Sequence, residues 1–137
     1  MAYKGSKVPE EIMKVFQIIT SARDKGVSFI QDKLKEKIIP SGNEIDNVVR
    51  NFIHESGFEG KFLHSTGHSL GFSSCHGRNR HIKHSNKRPL LKNLGYTIEP
   101  GIYLKDEFGI RSEIDFYIDD NFNLIITTPV QKEMTLI

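Results

Sequence analysis

Histidine is concentrated in one part of this chain, and two later glutamates complete a candidate metal-binding set. Five of the six histidines lie between residues 64 and 84, among them His64 and His68. Glu99 precedes a Pro-Gly pair, and Glu113 stands among apolar residues, where a glutamate is unusual without a partner. One imidazole and two carboxylates form a mixed donor set suited to Mn, Co or Zn. His68, Glu99 and Glu113 are therefore candidate metal ligands; the alternatives are a hydrogen-bonded histidine and a turn glutamate.

A basic segment runs from Arg78 to Lys92. It contains six lysines and arginines and two histidines, but no acidic residue. The whole chain has 19 lysines and arginines against 17 acidic residues, and this balance is too mild to indicate a nucleic-acid-binding protein. The segment is expected to be a solvated loop, with a site for phosphate, nucleic acid or an acidic protein as the alternative.

Two amphipathic helices must support these residues. The apolar spacing predicts a helix over residues 8–35, with Pro9 at its start and an end before Pro40. Ser41-Gly42-Asn43-Glu44 has the capping-box pattern and predicts the start of a second helix, which Gly57 is placed to end.

From about residue 61 the chain is expected to be rich in β-structure. Strands are predicted at 96–98, 102–104, 108–118 and 124–128, with turns at 99–101 and 119–123. Alternation over 108–118 places Arg111, Glu113 and Asp115 on one face of a strand. Two helices followed by antiparallel strands indicate an α+β fold, and 137 residues indicate one domain, residues 1–137.

Composition excludes several classes of protein. With 37% hydrophobic and 26% charged residues the chain is neither disordered nor membranous, and it lacks the apolar run of about 18 residues that a membrane span requires. The N-terminus has no apolar core of the signal-peptide kind. A single cysteine, Cys75, excludes an internal disulfide and fits a cytoplasmic location.

Three segments, taken in order, resemble the pita-bread metallopeptidases, which include prolidase, aminopeptidase P and methionine aminopeptidase. Residues 62–71, Phe-Leu-His-Ser-Thr-Gly-His-Ser-Leu-Gly, look like the histidine-ligand segment of that family. Residues 97–103 are similar to its glutamate segment, and residues 109–115 to its last ligand strand. With the helices included, the resemblance covers nearly the whole chain and is nearest to the Xaa-Pro dipeptidase branch. It implies a truncated pita-bread fold, with two long helices packed on a curved, mainly antiparallel sheet.

The resemblance implies a role for five residues. His68, Glu99 and Glu113 match metal ligands, with Glu113 bridging two ions and Glu99 also facing the nucleophilic water. His64 matches a histidine on the substrate side, and Arg111 matches an arginine that braces the ligands. The implied reaction is metal-assisted hydrolysis of peptides with proline in the second position, with His64, Glu99 and Arg111 as catalytic residues.

Two departures from the family pattern affect these expectations. The family has two aspartate ligands upstream of the long helix, and Ala2-Tyr3-Lys4-Gly5 is similar to the residues directly after the second aspartate. We therefore expect the 137 residues to lack both aspartates and to bind metal weakly or not at all. The family also has a histidine seven residues after the ligand histidine, where this chain has Cys75 followed by His76. Cys75 and His76 are expected to contact substrate.

Several functions stay open on this basis. One is an Xaa-Pro dipeptidase fragment that is inactive alone and active when the missing segment is supplied. A second is a catalytically inactive pita-bread domain that binds protein or nucleic acid. A third is a small zinc module of Cys75, His76, His81 and His84, although its spacing is not that of a standard finger. An unpaired sheet edge favours a homodimer, with exchange of Ala2–Gly5 as one variant, or pairing with a complementing N-terminal fragment.

Overall fold

The computed structural model describes all 137 residues, with two long helices and seven short strands. The helices are α1 (Glu10–Lys35) and α2 (Gly42–Ile53), and a single π-helical turn, His54–Phe58, follows α2. The strands are β1 (Ala2–Tyr3), β2 (Tyr96–Ile98), β3 (Gly101–Leu104), β4 (Phe108–Arg111), β5 (Ile114–Ile118), β6 (Leu124–Ile126) and β7 (Thr135–Leu136).

Both helices begin where the sequence predicts. Pro9 directly precedes α1, and two glutamates in the first turn face the positive end of the helix dipole. At α2 the Ser41 hydroxyl accepts from the Glu44 N–H, and the Glu44 carboxylate accepts from the Ser41 N–H, so the capping box is confirmed. Gly57 has a φ of 90° inside the terminal π-turn, which is a conformation that favours glycine and ends the helix.

The predicted strand over residues 108–118 is two strands in two different sheets. β4 pairs with β3 as a hairpin, whereas β5 lies between β2 and β6 in a three-stranded antiparallel sheet. The break falls at Ser112 and Glu113. The Ser112 N–H donates to the carbonyl oxygen of Pro100 at 3.0 Å, and its hydroxyl accepts from the buried Arg23. These bonds replace ladder pairing and turn Glu113 out of a strand.

Residues 59–95 contain no regular strand, so the prediction that β-structure starts near residue 61 is wrong. Isolated bridges hold this segment instead, including those joining Gly67 to Ile82 and Ser69 to Tyr96. The backbone around His68 is nevertheless fixed to β2, because Thr97 N–H donates to the His68 carbonyl at 2.9 Å. Backbone pairing without a long ladder is a pattern that local strand propensity does not predict.

Two apolar clusters form the core, and α1 contributes to both. Ile30 and Leu34 lie in the cluster with β2 and β5, while Phe16 and Ile19 lie in the cluster with β3 and β4. Neither helix has the length and apolarity required to cross a membrane. The two terminal strands pair with each other: β1 lies parallel to β7 of the same chain.

Candidate metal centre

The structure brings together the three predicted ligands, His68, Glu99 and Glu113. One donor atom from each residue lies within 4.8 Å of the others, and His68 Nε2 is 3.3 Å from Glu99 Oε1. His68 and Glu99 are buried, whereas the Glu113 side chain is 41% exposed. Glu99 is held rigidly between β2 and β3, because Ile98 and Ile102 on either side of it are completely buried in the two apolar clusters.

The imidazole of His68 is oriented as a metal ligand would be. Its Nδ1 donates to the carbonyl oxygen of Ser69 at 3.0 Å, so the neutral ring presents the lone pair of Nε2 toward Glu99. Two lone pairs facing each other at 3.3 Å require a cation or a proton between them. With metal–ligand bonds of about 2.0–2.2 Å, neighbouring ligands on one ion lie roughly 3.0–3.5 Å apart. The donor set therefore fits a divalent ion.

Arg111 lies against both carboxylates of this centre. Its Nη1 is 3.4 Å from Glu99 Oε2, and its Nη2 is 3.7 Å from Glu113 Oε2. The guanidinium side chain is 51% exposed, so these ion pairs are partly screened by solvent. Arg111 offsets the repulsion between two neighbouring carboxylates and orients each of them.

His64 is held by a partner that the sequence did not reveal, Tyr103. His64 Nδ1 donates to the Ser65 carbonyl at 2.9 Å, which leaves Nε2 as the acceptor for the Tyr103 hydroxyl at 2.8 Å. Burial raises the pKa of Tyr103, Arg111 opposes that rise and Glu99 adds to it. The phenol therefore stays protonated near neutral pH and can donate. The available signal was the place of Tyr103 in the same short segment as Glu99.

Comparison with known proteins decides which family this arrangement represents. Residues 3–120 match metallopeptidase family M24. The chain belongs to family M24. An uncharacterised peptidase of Methanocaldococcus jannaschii is 36% identical over 115 residues, which amount to 82% of this chain and 30% of that protein.

Solved structures of similar proteins establish the fold of this M24 chain. The prolidase of Thermococcus sibiricus has a TM-score of 0.82 at 30% identity, covering 99% of this chain and 34% of the prolidase. An X-Pro aminopeptidase of Thermotoga maritima has a TM-score of 0.80 at 30% identity, covering 99% of this chain and 36% of the aminopeptidase. The predicted partial pita-bread fold is confirmed. The chain spans about a third of the length of these relatives.

An ion pair in the M24 chain, with a buried carboxylate and a partly exposed arginine, supports the histidine segment. Asp46 is completely buried on α2 and accepts from Arg50 Nη2 and from the Thr66 N–H and hydroxyl. Arg50 in turn donates to the carbonyl oxygens of Phe62 and His64. Sequence reasoning missed this pair; the Asp-to-Arg spacing of four on one helix face was the signal.

A buried cation, Arg23, supports the segment that carries Arg111 and Glu113. Arg23 is 1% exposed on α1 and donates to the Ser112 hydroxyl at 2.9 Å and to the Gln131 carbonyl at 3.0 Å. Ser112 lies between Arg111 and Glu113 in the chain. Arg23 therefore fixes the backbone from which both side chains reach the centre.

The four residues of the alternative zinc module do not form a converging set. One group of histidine, cysteine or acidic side chains brings its donor atoms together in this chain, and it consists of His68, Glu99 and Glu113. Cys75 is exposed with its Sγ 3.1 Å from His76 Nδ1, and His84 lies near Asn47 instead. The expectation of a Cys75–His84 zinc module is therefore not supported by the structure.

His76 nevertheless lies beside the centre. The centroids of its ring and the His68 ring are 4.1 Å apart, with the two rings tilted by 33°. The ring of His81 is 6.5 Å from that of His68 on a second side. His76 is exposed, so its imidazole borders the solvent-facing side of His68.

Proposed function

We propose that these residues form the histidine–glutamate–glutamate half of a dinuclear metal centre in an Xaa-Pro dipeptidase-like enzyme. The observation that carries the proposal is the convergence of His68, Glu99 and Glu113 in an M24 chain. The reaction would be hydrolysis of peptides with proline in the second position. Two relatives of known structure, a prolidase and an X-Pro aminopeptidase, support this substrate class.

The metal expected at this centre is a divalent ion, Mn, Co or Zn, held by His68, Glu99 and Glu113. When bound, such ions lower the pKa of a coordinated water and polarise a carbonyl group. Glu99 is buried and accepts protons at Oε1 or Oε2, which suits it to take the proton of that water.

The remaining residues bind and orient. Because Ser65 and Tyr103 occupy both ring nitrogens, His64 would contact the peptide through its ring carbons, and Arg111 would hold Glu99 and Glu113 close together by offsetting their repulsion. His76 borders the solvent-facing side of His68 with Cys75 beside it, and both are candidate substrate contacts.

We further propose that the two aspartate ligands come from a segment outside these 137 residues, on the same polypeptide or on another. By itself this chain would bind metal weakly and would not hydrolyse dipeptides. Its partner would be a complementing N-terminal fragment or a second copy of the chain, and its compartment the cytoplasm.

The test supplies the upstream segment that carries the two aspartate ligands, either fused to this chain or added as a separate polypeptide. Metal content by plasma emission spectrometry and hydrolysis of a proline dipeptide are then measured for wild type, Glu99→Gln and a matched control, Glu107→Gln. Glu107 is exposed in the turn between β3 and β4. We expect metal and hydrolysis in wild type and the control, and loss of both in Glu99→Gln.

Two results would overturn the proposal. One is equal turnover by the isolated chain and by the complemented chain. The other is a complemented chain that binds neither metal nor dipeptide, which would favour an inactive pita-bread domain with a binding role.

A further inference from the structure

A cavity opens in the basic segment Arg78–Lys92 and adjoins the candidate metal centre at His81, whose ring centroid is 6.5 Å from that of His68. Its volume is about 510 Å³, within the roughly 300–1,000 Å³ range of small-molecule sites. Eight residues line it, and none is hydrophobic: Arg78, Arg80, His81, Lys83, Ser85, Asn86, Lys87 and Arg88. Five of these eight carry a positive charge at neutral pH, and none carries a negative charge.

The cations of this cavity have no counterions within the chain. None of the five takes part in an ion pair, although seven ion pairs occur elsewhere in the structure. Uncompensated positive charges that share one concave surface repel each other and raise the local concentration of anions. The sequence prediction of a merely solvated loop does not account for the gathering of five such charges around one open cavity.

The backbone around the cavity is anchored. Ile82 is completely buried and exchanges two backbone hydrogen bonds with Gly67, at 3.0 and 3.1 Å. The buried Asn86 side chain donates to the His81 carbonyl at 2.8 Å, and Arg80 Nη1 donates to the Pro89 carbonyl at 2.8 Å. Basic side chains are therefore presented from a fixed frame, which reduces the entropy lost when a ligand binds.

One polar atom beside the cavity lacks a partner. Every other buried side-chain nitrogen or oxygen in the structure makes a hydrogen bond, but His81 Nδ1 makes none. Buried polar atoms without partners are costly and rare, and they often mark a ligand that is missing. When Nδ1 carries the ring proton, an acceptor oxygen next to His81 would satisfy this atom.

The charge count selects the class of ligand. A single carboxylate would leave four of the five cations uncompensated. A chain of linked phosphates carries several charges in a small volume, and its oxygens match the forked donors of Arg78, Arg80 and Arg88. No phenylalanine, tyrosine or tryptophan lines the cavity, so it lacks the large aromatic rings on which single-stranded nucleic acid sites stack nucleobases.

We propose that this cavity is a binding site for a di- or triphosphate group, recognised through its phosphates alone. The proposal does not depend on the peptidase function, because it concerns different side chains and requires no metal. Free inorganic triphosphate and the triphosphate of a nucleotide share the recognised chemistry, and the experiment measures both.

The test is isothermal titration of the full chain with sodium triphosphate, at low salt and without added metal. The variant Arg78→Gln/Lys87→Gln/Arg88→Gln removes three exposed cations whose side chains make no hydrogen bond in the structure. The matched control, Lys14→Gln/Lys105→Gln/Lys132→Gln, removes the same charge from exposed positions outside the cavity. Circular dichroism verifies that both variants are folded.

We expect saturable one-to-one binding in wild type that weakens as salt increases. The cavity variant should bind at least roughly tenfold more weakly, since charge-assisted hydrogen bonds are lost, while the control stays within about twofold of wild type. ATP and UTP should bind as tightly as inorganic triphosphate if only the phosphates are recognised.

Three results would overturn the proposal. The first is no saturable binding by wild type. The second is equal weakening in the cavity variant and the control, which would mean that net charge alone is responsible. The third is tighter binding of a single-stranded RNA oligonucleotide or of an acidic peptide than of triphosphate, which would assign the cavity to another class of ligand.

Discussion

The Asp46 carboxylate on α2 accepts hydrogen bonds from the Arg50 guanidinium one turn later, and this pair supports the histidine segment. Arg50 Nε and Nη2 each lie 3.0 Å from an oxygen of Asp46. The same guanidinium holds two carbonyl oxygens of the segment that leads to His68. A single ion pair, buried at Asp46, therefore connects helix stability to the geometry of the candidate metal centre.

Replacing Asp46 by asparagine should lower the free energy of unfolding by about 2 kcal/mol or more, because Arg50 is left without its counterion. Urea denaturation at neutral pH measures this change. Asp32→Asn is the control, since Asp32 pairs with Lys35 on the exposed surface and its loss should cost under about 0.5 kcal/mol. Equal effects of the two substitutions would contradict a supporting role for Asp46.

Arg23 and Ser112 should show energetic coupling. Arg23→Met is expected to cost about 2–3 kcal/mol and Ser112→Ala about 1 kcal/mol, because each leaves a buried polar partner unsatisfied. The double variant should be less destabilised than the sum by roughly 1 kcal/mol. Lys14→Met, on the exposed face of the same helix, should be additive with Ser112→Ala. Additivity of Arg23→Met with Ser112→Ala would show that the contact is energetically unimportant.

The capping box predicts a defined pH dependence. Hydrogen bonds from Ser41 hold the pKa of Glu44 below its ordinary value of 4.5. A carboxyl group with a lowered pKa in the folded state adds stability above the unfolded pKa, and that stability is lost as the pH falls through the folded pKa. Ser41→Ala should therefore cost about 1 kcal/mol at pH 7 and less near pH 3.

Urea unfolding at the two pH values measures this difference. Ser73→Ala is the control, because Ser73 is exposed and caps no helix. A cost for Ser41→Ala that grows as the pH falls would reverse the expected sign and refute the assignment to Glu44.

Arg111 should act as a counterion for the centre when no metal is bound. Arg111→Gln leaves Glu99 and Glu113 uncompensated, so the chain should lose up to about 1 kcal/mol of stability in the presence of a chelator. Without Arg111, Mn²⁺ no longer competes with a guanidinium for Glu99 and Glu113. Added Mn²⁺ should therefore raise the midpoint of thermal unfolding more in Arg111→Gln than in wild type, since a ligand stabilises the state it binds. Lys105→Gln, in the exposed turn after β3, should respond to Mn²⁺ as wild type does. A larger response in wild type would contradict the expectation.

Association in solution also remains a prediction. Phe72 is fully exposed and Leu63 is 71% exposed near the candidate centre, which favours a homodimer or a complementing chain. Exchange of the N-terminal strand is not required, because β1 already pairs with β7 within one chain. Sedimentation equilibrium at micromolar concentration should give about twice the 15.7 kDa mass of the chain, and Phe72→Ser should reduce it. A constant mass near 16 kDa would exclude the dimer.

Much of the fold and of the candidate centre can be predicted from local signals in the sequence. The capping box at Ser41 depends on a few neighbouring residues and appears where predicted, whereas the turn predicted at 99–101 is wrong, because Gly101 already begins β3 in a different sheet from β2. The family resemblance of three short segments indicated His68, Glu99 and Glu113, and these side chains converge. The irregular segment from residue 59 to residue 95 was predicted poorly, because isolated bridges between distant residues hold it in place.

The sequence by itself determined the two helices, the α+β class and the types of residue available for metal chemistry, because backbone propensity and side-chain chemistry act locally. Only the tertiary structure decided which partners surround those residues. Tyr103 meets His64, and Arg23 meets Ser112 across 89 residues of chain. The same is true of the basic cavity, where packing of Ile82 against Gly67 gathers charges that the sequence shows only as a run. Such contacts arise when distant segments bury apolar surface together, and no local pattern encodes them.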